Sequence, residues 1–65
     1  MVTRKVLDEL KGNQVKVYIS GLPDPHCVEK GMLDSFTEHT LILIDEVHTN
    51  VSYIPLDNIA YIKKL

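Results

Sequence analysis

The stretch GMLDSFTEHTLILID, Gly31 to Asp45, decides how the chain is read. Its second half, Leu41 to Ile44, is an unbroken apolar run, which predicts a strand covered on both faces. Its first half closes a second predicted strand, from about Val28 to Phe36, with Gly31 inside it. A glycine within a strand marks a bend or bulge, as a sharply curved small barrel requires. Ser35 to His39 leads into the turn between the two.

Working outward, the pattern continues on both sides. In NQVKVYIS, Val15, Val17 and Ile19 alternate with Lys16, Tyr18 and Ser20, the signature of a half-buried strand. Before it, Val2, Val6, Leu7 and Leu10 fall at helical spacing. Thr3 is placed to cap such a helix and Gly12 to end it, so a short amphipathic helix is expected over about residues 3–11. Between the first two strands lies GLPDPHCVEKG, Gly21 to Gly31, where Pro23 and Pro25 break any ladder. After Asp45, VHTN reads as a tight turn, in which Asn50 can tolerate left-handed backbone. SYIP is a fourth short strand stopped by Pro55, LDN a turn, and IAYIKKL a fifth strand. Ile59, Ala60, Tyr61 and Ile62 are apolar without alternation, which predicts that a neighbouring subunit covers one face of that strand. The fold class expected is mostly β: an N-terminal helix, then a five-stranded, strongly bent antiparallel small barrel in a single domain, residues 1–65. Val15, Val17, Ile19, Leu33, Leu43 and Ile54 are its candidate core.

Bulk composition bounds the function. A chain of 65 residues with 45% hydrophobic and 25% charged residues is a folding domain with a small core. One cysteine excludes an internal disulfide and fits a reducing, cytoplasmic setting. Oligomerisation is then the expected support for so small a core. A net charge of −2 makes no basic nucleic-acid surface in bulk, while leaving room for a local one. No apolar run reaches the ~20 residues of a membrane span, so no membrane partner is expected. MVTRKVLDEL is charged throughout, unlike a signal peptide.

Across nearly its whole length the chain resembles the Sm and Sm-like family. GMLDSFTEHTLILID matches that family's first motif through Gly31, Leu33, Phe36, His39 and Leu43. YIPLDNIAYI matches the second through Ile54, Asp57, Asn58 and Ile59. The resemblance implies a homo-oligomeric ring in which the fourth strand of one subunit pairs with the last strand of the next. Tyr53, Ile59 and Tyr61 are the interface residues it points to. It also implies a site for single-stranded RNA, with His39 stacking a base and Asp57 and Asn58 beside it. The chain departs from the pattern there. Thr37 and Leu41 stand where uridine-binding members carry aspartate and asparagine. Pro55 and Leu56 stand where they carry arginine and glycine. An assembly or protein-interaction module that has lost the RNA pocket is the alternative.

Other constellations are incomplete. His26 and Cys27 are soft-metal ligands but form half a set, and neither a metal nor a cofactor is expected. No nucleophile–base arrangement or glycine-rich phosphate loop is present, so no enzymatic activity is expected. Asp34, Glu38, Asp45 and Glu46 read as solvent-facing charges at strand ends. Tyr18 and Tyr61 read as strand packing residues. Arg4, Lys5, Lys63 and Lys64 are candidates for a basic rim on assembly.

Overall fold

The structure, a computed structural model, describes residues 3–23 and 27–65; Val2, Pro25 and His26, named above, lie outside them. One short helix, α1 (Arg4–Leu10), precedes five strands: β1 (Gln14–Ile19), β2 (Val28–Phe36), β3 (Thr40–Asp45), β4 (Asn50–Pro55) and β5 (Ile59–Lys64). The fold is mostly β, as expected. Thr3 caps α1, its side chain accepting from the Val6 N–H at 3.4 Å. Gly12, with φ +86°, follows the helix in the left-handed region that glycine adopts without a Cβ penalty. Seven residues do not make a stable helix in water. Leu7, fully buried, pins α1 to the sheet, and Leu10 packs beside it.

The strands form one antiparallel sheet in the order β4-β3-β2-β1-β5. Leu7, Val15, Val17, Leu33, Leu41, Leu43, Ile54, Leu56 and Ile59 are buried on its inner face. All the candidate core residues are among them except Ile19, which is half-buried and packs against the cluster. Ile42 and Ile44 are only half-buried. The LILI run therefore has one inner face and one partly covered outer face, not the full cover its continuity predicted.

β4 and β5 are consecutive in the chain, yet they lie at opposite edges of the sheet. Only a 3₁₀ turn, Leu56–Asn58, joins them. The edges of a flat five-stranded sheet stand about 19 Å apart, four spacings of ~4.8 Å. Three residues in a 3₁₀ turn rise only ~6 Å. The sheet must therefore be rolled until its two edges share a corner. The roll is not closed: no ladder joins β4 to β5 among the described residues. At that corner Pro55 has no N–H to donate, and the Leu56 N–H goes to the His39 carbonyl at 2.8 Å.

Two register shifts bend the strands. One falls between Leu33 and Ser35 on β2, three residues beyond the glycine that the sequence marked. At Gly31 the need is a close approach: an added Cβ would stand 2.7 Å from the Ile44 carbonyl oxygen and 2.8 Å from Leu43 Cδ2. The other shift opposes Tyr18 to Tyr61 but Ile19 to Ile59, which leaves Ala60 as an extra residue on β5. That bulge puts both Ile59 and Ile62 on the inner face and turns Tyr61 outward, opposite Tyr18. The missing alternation of IAYI thus places Ile59 and Ile62 inward and leaves Ala60 and Tyr61 exposed on the outer face. In the β3–β4 turn the positive φ falls on Thr49, at 53°, rather than on Asn50.

Candidate functional site

The β2–β3 turn is built by Thr37. Its hydroxyl accepts from the backbone N–H groups of His39 (3.3 Å) and Thr40 (3.1 Å), and its own N–H donates to the Thr40 carbonyl at 2.8 Å. This leaves the His39 side chain exposed at the tip. The hydrogen bond from Leu56 to the His39 carbonyl ties the 3₁₀ turn to the same place. Leu56 fills the core beneath, while Asp57 and Asn58 face solvent. The Asn58 carbonyl accepts from both the N–H (2.7 Å) and the hydroxyl (3.1 Å) of Ser20. The fold therefore gathers His39, Asp57 and Asn58, some twenty positions apart in sequence, at one end of the rolled sheet. An imidazole, a carboxylate and an amide there offer a stacking face and polar groups to a flat ligand. Leu41 is fully buried in the core beside this end and presents nothing to solvent.

The candidate interface residues divide. Tyr53 on β4 is 69% exposed and Tyr61 on β5 is 49% exposed. Ile59 is 2% exposed. Its side chain belongs to the protomer's own core, where the Ala60 bulge turns it inward. Beside Tyr53 an open groove of about 350 Å³ runs between the β4 edge and the first hairpin, lined in part by Ile19, Leu22, Glu29 and Pro55.

At the opposite end Asp45 organises the β3–β4 turn, accepting from the N–H groups of Val47 (3.1 Å) and His48 (3.3 Å) and from His48 Nδ1 (2.7 Å). The His48 hydrogen bond holds the Asp45 carboxyl below the usual carboxylate range. Asp34, Glu38 and Glu46 are exposed, as read from the sequence; Asp45 is half-buried. Among the described residues no three His, Cys, Asp or Glu side chains gather as a metal-binding group. No helix there is long and apolar enough to cross a membrane.

A further arrangement escaped the sequence reading. Lys16 lies opposite Lys30 on β2 and opposite Lys63 on β5. Cross-strand partners share a face, and Lys16 points away from the core that holds Val15 and Val17, so the outer surface carries a row of three lysines. The next row is Val28, Tyr18 and Tyr61. The two tyrosine rings stack, with centroids 4.2 Å apart and planes at 15°. Alternation in β1 put Lys16 and Tyr18 on the outer face, but only the register of three strands reveals their neighbours. No family model, curated protein or solved structure matches the chain, so the likeness to Sm proteins rests on its residue pattern.

Proposed function

We propose that the chain is a non-enzymatic, self-assembling module of Sm-like type, working in the cytoplasm as a homo-oligomeric ring. The observation that carries this reading is the pair of open edges, β4 and β5, at the two ends of one rolled sheet. An unpaired edge is a template for another strand. Two different edges on one protomer favour head-to-tail pairing, which closes into a ring when the rotation allows it. Each barrel is then completed by strands from its neighbours. Tyr53 and Val51, 69% and 51% exposed on β4, add apolar surface beside the edge. Light scattering at tens of micromolar should give a mass several times that of the protomer. Tyr53→Lys should lower that mass while leaving the circular dichroism spectrum unchanged. A monomer at this concentration sinks the proposal.

Single-stranded RNA at the loop end is the second reading, favoured by the gathering of His39, Asp57 and Asn58. Base stacking contributes ~1–3 kcal/mol, so His39→Ala should weaken binding by roughly tenfold, read by fluorescence anisotropy. Preference for uridine should be slight, because buried Leu41 and uncharged Pro55 stand in the recognition positions. Strong uridine selectivity, or binding indifferent to His39, would remove this reading and leave the assembly module.

A further inference from the structure

We propose that the outer face of the β3–β4 hairpin docks a basic amphipathic helix of another protein, with its apolar stripe on Ile44 and Val51 and its cations against the carboxylates around them. The site is centred on β3, an interior strand of the sheet, so pairing of the β4 edge with a neighbouring strand would leave it open. It depends neither on the ring nor on RNA.

The first observation is an apolar patch that the core does not use. Leu41 and Leu43 point inward, so Ile42 and Ile44 point outward, where they stay half-buried. The ladders set Tyr53 opposite Ile42, and Met32 and Val51 on either side of Ile44. Val51 is 51% exposed. From β2 to β4 the patch is about 10 Å wide, two strand spacings of ~4.8 Å, and its two rows lie ~7 Å apart. An α-helix, about 10–12 Å across, covers a patch of that width.

The second observation is a separation of charge. From Gly31 to Ile62 the chain carries Asp34, Glu38, Asp45, Glu46 and Asp57 but no lysine or arginine; all seven of those lie outside that span. Two of the carboxylates flank the patch. Asp34 accepts a hydrogen bond at 3.2 Å from the hydroxyl of Ser35, the residue opposite Ile42. Glu46 follows Ile44 by two positions and is exposed, as is Glu38 in the turn before β3. Asp45 is already engaged by its own turn. Among the described residues the one ion pair is His48–Asp45, so Asp34, Glu38 and Glu46 hold no cation of the protomer. Lys30, two residues before Met32, is the nearest cation along β2 and pairs with none of them.

An apolar patch with an anionic rim selects a partner with apolar residues inside a cationic rim. Nucleic acid and anionic lipid bring the wrong charge. The chain's own helix carries Arg4 and Lys5, but its Leu7 and Leu10 are committed to the core beneath it, so α1 of a second copy has no apolar stripe to offer. A foreign helix with lysine or arginine beside a leucine stripe supplies both.

The test is fluorescence anisotropy on the full chain, at about 50 and 200 mM salt, with three labelled peptides of about 14 residues. The first is a leucine–lysine helix with leucines at i, i+3, i+4 and i+7. The second has glutamate for every lysine, and the third has the composition of the first in an order that breaks the stripe. The first should bind, more weakly at high salt, and the other two at least tenfold less tightly. Ile44→Thr and Val51→Thr keep a β-branched side chain suited to a strand. Ile44→Thr should weaken binding roughly tenfold and Val51→Thr several-fold. Glu46→Gln and Asp34→Asn should flatten the salt dependence, while Lys16→Gln should bind as the parent does. Val51→Thr, at an exposed position, should keep the parent's circular dichroism and melting temperature, so the reading survives if Ile44→Thr folds poorly. Unchanged binding in both threonine variants overturns the proposal, as does no binding of the leucine–lysine helix at the lower salt. Equal binding of the striped and unstriped peptides would reduce the contact to bulk charge and overturn it too. A lower mass for peptide-free Ile44→Thr by light scattering would mean that a second copy covers this face, and would overturn the foreign partner.

Discussion

Gly31 shows how much one missing methyl group decides. The residue is buried, paired with Val15 on one side, and its absent Cβ would press on the β3 backbone at Ile44. Backbone cannot move aside as the end of a long side chain can. Overpacking of this kind costs about 1–3 kcal/mol, and in so small a domain each kcal/mol moves the melting temperature by roughly 4–8 °C. Gly31→Val should therefore melt at least several degrees below the parent, and Gly31→Ala should already show part of that loss. An unchanged melting temperature would refute the close approach. The sequence singled this glycine out for a bend that a side chain would crowd; the crowding is at Gly31, and the register shift lies three residues on. A bend and a close approach both select glycine, and the bend belongs to the register shift beyond Leu33. Leu41 was likewise readable as apolar, but its burial beside the candidate RNA end depends on the roll of the whole sheet.

At the scale of elements, β1 to β4 follow from apolar patterning and turn residues, while β5 does not. A bulge changes which residues share a face, and nothing local in IAYI announces it. The consequence is testable at Ile59. With its side chain 2% exposed inside the protomer, Ile59→Ala should cost about 2–5 kcal/mol. Urea unfolding should show the loss at every protein concentration. Dissociation of an oligomer with no change in protomer stability would mean that Ile59 faces a neighbour after all. Tyr61→Leu, which removes a stacked ring from the outer surface, should cost less, about 0.5–1.5 kcal/mol. The helix belongs with the readable elements, since Thr3, Leu7 and Gly12 act as their positions indicated.

For the molecule as a whole, the order of elements and the single small core were legible in 65 residues. The sheet edges were legible only through the resemblance, which made the fourth and last strands the ones that pair between subunits. Strand patterning gives the strands but not their order, and only the order puts β4 and β5 at the two ends. If assembly satisfies those edges, the melting temperature should rise with protein concentration, because association stabilises only the folded form. A melting point constant over a hundredfold dilution would speak against coupled assembly. Net charge was equally blind to the lysine row. Lys16, Lys30 and Lys63 are scattered along the sequence, and two ladders bring them side by side.

The strand order also carries a consequence for how the chain acquires its shape. Three of the four ladders join strands consecutive in sequence, but β1 waits for β5, whose first residue lies about forty positions beyond the last of β1. Closing so long a loop is entropically slower than zipping a hairpin. Substitutions at Ile62 should therefore speed unfolding and leave the folding rate almost untouched, whereas those at Leu33 or Leu43 should slow folding. On the ribosome the last strand emerges last. Until it arrives, one side of β1 stays bare, and nascent chains are most prone to pair with one another during that interval.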